Sequence, residues 1–243
     1  MKILITGASS GLGEELARQY AAPNVELILL ARRKEKLQTL QKELQNHCLS
    51  VKIIALDITN FIEVQKEMQA LGAVDILILN AGISLAHSKK ITPLSDFKRL
   101  FDINLFANHA ILEVMLPFLI AQKSGKIVFI SSMASLFSMP SASAYATSKR
   151  ALNAYAEALM YTYKKDGIEV INILPGFIKS ELTDKNNFKM PFLLSTQAGV
   201  KRIKCAIDTS KSFYVFPLRF YLIISLFKLL PQFLRQRIVN SAN

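Results

Sequence analysis

Seven short runs rich in Ile, Val and Leu recur along the chain, and segments with the periodicity of helices separate them. The runs show little polar alternation, which is typical of strands buried on both faces of a sheet. They cover residues 3–6, 25–31, 51–56, 75–80, 126–131, 169–175 and 213–216. Alternation repeated this often predicts an α/β fold, a doubly wound, Rossmann-like parallel sheet of about seven strands with helices on both faces.

The segments between the runs have the spacing of amphipathic helices. Leu37, Leu40 and Leu44 lie at i, i+3 and i+7, and Lys, Gln and Glu fill the other face. The predicted helices cover residues 14–22, 34–47, 61–71, 97–118 and 143–163. Because no repeat, low-complexity stretch or linker interrupts residues 1–180, we predict that residues 1–243 form a single domain.

Composition excludes several classes of protein. The chain has 243 residues, of which 51% are hydrophobic, and this excludes collagen, disorder and small secreted scaffolds. Two cysteines, Cys48 and Cys205, are too few for a disulfide framework. The apolar run at the N-terminus is too short for a secretory signal. We therefore predict a globular protein of a reducing compartment, the cytoplasm.

The first strand leads directly into a glycine-rich turn, Thr6-Gly-Ala-Ser-Ser-Gly-Leu-Gly13, before the first helix. Such a turn lets the backbone approach a pyrophosphate, and the amides of the helix N-terminus supply partial positive charge. The spacing differs from the common Gly-x-Gly-x-x-Gly fingerprint, and a plain tight connection is the alternative. The candidate cofactor-binding residues here are Gly7, Ser9, Ser10, Gly11, Leu12 and Gly13.

The second strand ends at Ala31, followed by Arg32 and Arg33. Dinucleotide folds that bind NAD often place an acid here for the ribose hydroxyls, whereas an arginine suits the 2′-phosphate of NADP. The guanidinium of Arg32 can stack on adenine and pair with phosphate. This pattern favours NADP(H) over NAD(H), with an ordinary basic helix N-terminus as the alternative.

Tyr145 and Lys149 lie four residues apart within a predicted helix, so both side chains can approach one ligand. A nearby ammonium favours the phenolate and lowers the pKa of a tyrosine, which suits general acid–base work. Ser132 ends a predicted strand, where α/β sheets place their ligands. Asn104 lies in another helical segment.

These elements together resemble the classical short-chain dehydrogenase/reductase family. The resemblance covers residue 3 to about residue 180 and implies the strand order 3-2-1-4-5-6-7. The motifs that carry it are TGASSGLG at 6–13, LDIT with Asp57, LNAG at 79–82, Asn104, ISS at 130–132, YATSK at 145–149 and PGFIKS at 175–180. Leu79 departs from the family, which often has a second asparagine there.

The resemblance implies a role for each matching position. Tyr145 would give and take the proton, and Lys149 would lower its pKa and bind the nicotinamide ribose. Ser132 would hold the substrate oxygen, and Asn104 would anchor a water that links Lys149 to solvent. The positions expected beside the cofactor are Asp57 and Ile58 at adenine, Asn80, Ala81 and Gly82 along the chain, and Pro175, Gly176, Ile178 and Ser180 at nicotinamide.

The resemblance also implies an activity and an assembly. We expect an NADP(H)-dependent oxidoreductase that transfers hydride between nicotinamide and a carbonyl or secondary alcohol. Family members commonly pair through helices that correspond to residues 97–118 and 143–163, so a homodimer or homotetramer is expected. A dinucleotide-binding regulator or scaffold with the same fold is the alternative.

The last third of the chain predicts specificity and surface properties. Residues 179–212 form the expected substrate or lid region, and their Phe, Met and Leu side chains favour an apolar carbonyl compound. Residues 213–243 form an apolar, basic segment, and we interpret it first as a solvated basic face of the folded domain. The alternative is that it frames a substrate entrance or contacts an anionic membrane surface. The uncharged window Phe220–Phe227 is too short to span a bilayer.

The net charge of +12 raises the question of nucleic acid. Ten basic residues and one acid, Asp208, lie in 185–243, but they are dispersed among apolar residues. We therefore predict no nucleic-acid partner. The three histidines, His47, His87 and His109, lack the spacing of a zinc site, and no metal is expected.

Overall fold

A computed structural model describes residues 1–85, 91–137, 140–186, 188 and 190–241, without the side chains of Ser141 and Ser241. Seven parallel strands form one sheet in the order β3-β2-β1-β4-β5-β6-β7, which confirms the predicted fold and strand order. The strands are β1 (Lys2–Thr6), β2 (Glu26–Ala31), β3 (Ser50–Ala55), β4 (Ile76–Leu79), β5 (Gly125–Ile130), β6 (Ile168–Pro175) and β7 (Phe213–Phe216).

Helices cover both faces of the sheet. They are α1 (Gly11–Tyr20), α2 (Lys34–Leu44), α3 (Phe61–Leu71), α4 (Leu94–Phe101), α5 (Ala107–Gln122), α6 (Ser143–Tyr163), α7 (Thr196–Asp208), α8 (Leu218–Leu229) and α9 (Gln232–Ser241). Leu16, Leu37 and Ile203 from α1, α2 and α7 pack on one face. Met68 and Leu152, from α3 and α6, pack on the other. The sheet is therefore buried on both sides, as its apolar strands predict.

The predicted helix over residues 97–118 differs from the structure. A π-helical turn, Asp102–Phe106, separates α4 from α5, although the helical path is continuous. Such turns are frequently found at functional sites. Residues 94–122 are long and apolar enough to cross a membrane, and half of the most apolar window is buried inside the fold.

The chain order reverses at β1, which pairs with β2 on one side and with β4 on the other. Connections leave in opposite directions from the carboxyl ends of these strands, and a crevice opens between them. In the predicted lid region, turns occupy residues 181–185, and α7 begins at Thr196. Pro231 separates α8 from α9, because proline cannot continue a helix in its interior.

Candidate active site

A cleft of about 390 Å³ lies in this crevice at the carboxyl ends of the strands. Its size falls in the range of small-molecule sites, roughly 300–1,000 Å³. Nearly all the predicted site residues line it: Gly7, Ser9, Ser10, Gly11, Leu12, Arg32, Arg33, Asp57, Ile58, Asn80, Ala81, Gly82, Ser132, Tyr145, Lys149, Pro175, Gly176, Ile178 and Ser180. Gly13 and Asn104 lie behind the cleft wall.

The glycine-rich turn forms the floor of one half of the cleft. Gly7 and Gly11 have φ angles of +67° and +58°, a left-handed conformation that favours glycine. The side chain of Asn80 donates to the carbonyl of Thr6 at 2.9 Å, and the Thr6 hydroxyl accepts the backbone N–H of Asn80 and Ala81, each at 3.0 Å. The end of β4 therefore holds the turn in place.

Gly13 acts through packing and does not face the cleft. A Cβ atom at this position would lie 2.3 Å from the carbonyl oxygen of Gly7 and 2.6 Å from the side-chain amide nitrogen of Asn80. Both separations are far below van der Waals contact, and the Gly7 carbonyl belongs to the backbone, so it cannot move aside without shifting the turn. Glycine at position 13 thus lets α1 start directly against the turn.

We expect Gly13→Ala to lower both stability and cofactor affinity, because the methyl group must displace the turn. The loss of stability should be about 1–3 kcal/mol, the typical cost of overpacking. Gly72→Ala is the matched control, since Gly72 has a φ of +68° but open space around it. That variant should lose a similar amount of stability through backbone strain and keep its cofactor affinity. Thermal unfolding and nucleotide titration measure the two effects, and unchanged affinity in Gly13→Ala would contradict the packing role.

Two arginines follow β2 at the edge of the turn. The Arg32 guanidinium lies 3.4 Å from the carboxylate of Asp57 and is largely exposed. Arg33 instead crosses the turn and donates to the hydroxyls of Ser9 at 3.1 Å and Ser10 at 2.5 Å. The sequence interpretation gave the main phosphate contact to Arg32, but both cations line this end of the cleft.

Glu181 is a site residue that sequence reasoning missed. Its carboxylate accepts from Arg33 at 2.8 Å and from Lys36 at 2.7 Å. These hydrogen bonds lower the pKa of Glu181 to about 2, with the bond from Lys36 contributing most and partial burial opposing it. The lid region therefore touches the phosphate end of the cleft. Its position directly after Ser180 in the PGFIKS motif was the available signal.

Other lining residues were also missed. Thr183 bonds the backbone of the lid, accepting from the N–H of Ser180 at 2.9 Å and donating to the carbonyl of Ile178 at 2.9 Å. Ile103 and Lys185 line the cleft as well. None of these belongs to a motif with a chemical role, so the sequence offered no signal for them.

Tyr145, Lys149 and Ser132 meet at the other half of the cleft. The first two lie on α6, and Ser132 follows β5 at the start of a short 3₁₀ turn. Lys149 is 4% exposed and its ammonium donates to the carbonyl of Ile130 at 2.9 Å. Burial lowers the pKa of Lys149 to about 8.

The electrostatics of Tyr145 differ from the sequence expectation. Burial raises the pKa of this phenol, and the hydrogen bond with the Ser132 hydroxyl lowers it in part. The sequence interpretation assigned the dominant influence to the Lys149 ammonium and predicted a lowered pKa. In the structure the Lys149 ammonium donates to the carbonyl of Ile130 at the end of β5. Removal from water is the main influence on the pKa of Tyr145, and it raises that pKa.

Asn104 lies in the π turn and is fully buried. Its amide accepts the N–H of Ile83 at 2.9 Å and donates to the carbonyl of Ile83 at 3.1 Å and to the Ser148 hydroxyl at 3.0 Å. It therefore joins the segment after β4 to α6, the helix that carries Tyr145 and Lys149. Its assignment as the anchor of a water molecule stays a prediction.

A metal site was not expected. Within the described residues, no group of three or more His, Cys, Asp or Glu side chains could hold a metal ion. His109 contacts the Tyr155 hydroxyl at 2.7 Å, away from the cleft. His87 lies outside the described residues.

Fold and site together define a dinucleotide-binding α/β protein of the Rossmann class. A model of the short chain dehydrogenase family matches residues 1–190, and the chain belongs to this family. It is 34% identical over 232 residues to an uncharacterized oxidoreductase of Myxococcus xanthus, covering 94% of this chain and 92% of that protein.

Two further comparisons agree. A dehydrogenase/reductase SDR family protein 7-like of Anopheles gambiae is 36% identical over 190 residues, covering 74% of this chain and 60% of that protein. A short-chain dehydrogenase from Sphingobium yanoikuyae in complex with NADPH superposes with a TM-score of 0.84 at 23% identity. That alignment covers 95% of this chain and 96% of the other, which shows the shared fold.

Proposed function

We propose that this protein is an oxidoreductase that transfers hydride between NADP(H) and an apolar carbonyl or secondary alcohol. The observation that carries the proposal is the meeting of Tyr145, Lys149 and Ser132 at one end of a cleft whose other end has a glycine-rich turn and two arginines. Proton-transfer groups and a phosphate cradle in one crevice suit nicotinamide chemistry.

The turn and the lid suit a dinucleotide phosphate. A Cβ atom on Gly11 would lie 3.3 Å from the Cβ of Ser180, tighter than an ordinary van der Waals contact, so glycine lets the turn approach the lid closely. The amide groups at the N-terminus of α1 would bind the pyrophosphate beside this contact. Arg32 and Arg33 would hold the adenosine phosphate, and Asp57 and Ile58 would border the adenine.

The cofactor supplies or accepts the hydride, and the protein handles the proton. In the reductive direction, the Ser132 hydroxyl would hold the substrate oxygen by a hydrogen bond. The Tyr145 hydroxyl would donate a proton to that oxygen as negative charge develops. The buried Lys149 ammonium would stabilise the resulting phenolate, because opposite charges attract strongly away from water. The oxidative direction uses the same groups in reverse.

Charge at the adenosine end supports the preference for NADP(H). The 2′-phosphate adds negative charge that only NADP carries, and a guanidinium binds phosphate well. The Sphingobium short-chain dehydrogenase with the same fold was solved in complex with NADPH. The carboxylate of Glu181 would repel the 2′-phosphate, and nucleotide titration measures the net effect of the arginines and Glu181 on NADPH affinity.

A fluorescence titration with NADPH and NADH in parallel tests the cofactor proposal. We expect NADPH to bind at least about tenfold more tightly, since one added charged hydrogen bond is worth roughly 1.5–3 kcal/mol. Arg32→Gln should weaken NADPH and leave NADH almost unchanged. Lys34→Gln is the control, because it removes the same charge from an exposed site two residues away. Equal binding of both nucleotides would reject the preference, and binding of neither would favour a scaffold.

The lid supports an apolar substrate. Phe177 contacts Phe188 with ring centroids 5.8 Å apart and Phe220 at 5.9 Å, and Phe192 also contacts Phe220 at 6.0 Å. These rings join the lid to α8, and Phe177 lies between Gly176 and Ile178, which line the cleft. An apolar layer behind this end of the cleft would favour an apolar ketone or aldehyde, and a panel of such compounds with NADPH tests turnover directly.

The remaining assignments are predictions. A homodimer or homotetramer through the helices over residues 97–118 and 143–163 is one of them, and a small-molecule substrate without a nucleic-acid partner is another. The free thiols of Cys48 and Cys205 accord with the predicted cytoplasmic location.

A further inference from the structure

Helix α8 is apolar on all sides, yet most of it is exposed. A helix of this composition is normally buried in a core or a membrane. Only Ile224 of α8 is buried. Leu218, Leu222, Leu226 and Leu229 are 51–80% exposed. Their spacing of four, four and three residues places them in one stripe along the helix.

Two more exposed apolar side chains lie in this part of the chain. Ile223 is on α8 next to Leu222, and Phe233 on α9 is 67% exposed. We call these six side chains the C-terminal apolar face: Leu218, Leu222, Ile223, Leu226, Leu229 and Phe233. Contiguous apolar surface of this kind marks an interaction site, whereas scattered single residues need no explanation.

The positive charge of the surrounding segment distinguishes the candidate partners that could cover this face. Residues 209–243 contain five basic residues and no acid: Lys211, Arg219, Lys228, Arg235 and Arg237. At about 100° per residue, Arg219 and Lys228 fall on opposite sides of the leucine stripe. An exposed apolar stripe with cations on both sides suits an anionic bilayer surface, because the apolar side chains can insert while the cations meet the headgroups.

A second copy of the chain fits this face less well. A symmetric interface would place the same residues of both copies together. The cations of the two segments would then face each other without a carboxylate from either segment to neutralise them. Anionic lipid headgroups supply that charge, at about 1 kcal/mol per basic residue near the surface.

We propose that the C-terminal apolar face docks on the surface of an anionic lipid bilayer, with α8 lying in the plane of the interface. The helix has 12 residues, against about 20 needed to span the hydrocarbon core, so it does not cross. Its inner side holds Phe220, which contacts Phe177, just before the lid, and the lid residue Phe192. Docking therefore places the lid next to the lipid, where an apolar substrate of the proposed function would dissolve.

Vesicle co-sedimentation of the full chain tests the proposal. We expect binding to phosphatidylcholine vesicles that contain phosphatidylserine and little binding to pure phosphatidylcholine. The double variant Arg219→Gln/Lys228→Gln should bind about 25-fold more weakly, roughly fivefold for each basic residue. Leu222→Ser/Leu226→Ser should bind at least about tenfold more weakly, since less apolar surface is inserted.

The double variant Ile62→Ser/Lys66→Gln is the matched control. It removes an exposed apolar side chain and an exposed cation from α3, and it should bind vesicles as the unmodified chain does. NADPH titration of every variant checks that the fold is intact, and it also keeps failure of this proposal separate from failure of the proposed function. Absence of binding to anionic vesicles would overturn the proposal. So would self-association in solution that Leu222→Ser/Leu226→Ser abolishes, because a second copy would then be the occupant.

Discussion

Replacing Tyr145 by phenylalanine is expected to lower kcat by about 10²–10⁴-fold, the usual contribution of a general acid or base. NADPH affinity should stay nearly unchanged. The phenyl ring keeps the packing of a residue that lines the cleft, and only the hydroxyl that transfers the proton is lost. Single-turnover absorbance of reduced nicotinamide measures the chemical step, and fluorescence titration measures binding.

The control for this variant lies on the same helix. Tyr161 is 73% exposed, and its hydroxyl bonds Glu157 at 2.9 Å, outside the cleft. Tyr161→Phe should retain full turnover and NADPH binding. A Tyr145→Phe protein as active as the unmodified enzyme would remove Tyr145 from the mechanism and leave the fold assignment intact.

Replacing Lys149 by methionine is expected to abolish turnover and weaken cofactor binding, yet stabilise the fold. Met keeps about the same volume but carries no charge, so the cost of burying an ammonium disappears. The pKa of Lys149 falls from its ordinary 10.5 to about 8 through burial. This depression corresponds to roughly 3 kcal/mol of lost stability at neutral pH, an upper limit for the gain.

The sign of the pH dependence follows from the same shift. Between about pH 8 and pH 10.5, the unfolded chain holds the Lys149 proton more tightly than the folded chain does. The unmodified protein therefore gains stability from this residue as pH rises through that window. The stability advantage of Lys149→Met should be largest below pH 8 and should vanish above about pH 10.5. Denaturant unfolding of both proteins across the window measures the difference.

Lys126 provides a contrasting substitution. Its ammonium donates to the Ile207 carbonyl and the Ser210 hydroxyl, each at 2.8 Å, at the amino end of β5 far from the cleft. Lys126→Met should lower stability and leave turnover unchanged. If Lys149→Met instead lost stability while keeping its activity, Lys149 would be a structural residue only.

Much of the fold follows from local sequence. The strands begin and end within one residue of the predicted runs, and α3 and α6 match their predicted bounds, because apolar periodicity is a local property. The break between α4 and α5 was not predicted. The π turn at this break holds Asn104, whose side chain accepts a hydrogen bond from the backbone N–H of Ile83, 21 residues earlier. Local helix propensity contains no information about a contact between such distant positions.

The motifs of the chain predicted most of the residues that line the cleft, since glycine turns and strand ends impose the same local geometry wherever they occur. Tertiary structure alone decided the electrostatics. Arg33 meets Glu181 across 148 residues of sequence, and the burial that raises the pKa of Tyr145 comes from elements packed around α6. Desolvation and ion pairing depend on distances between atoms that only folding brings together, so no local pattern could have given their signs.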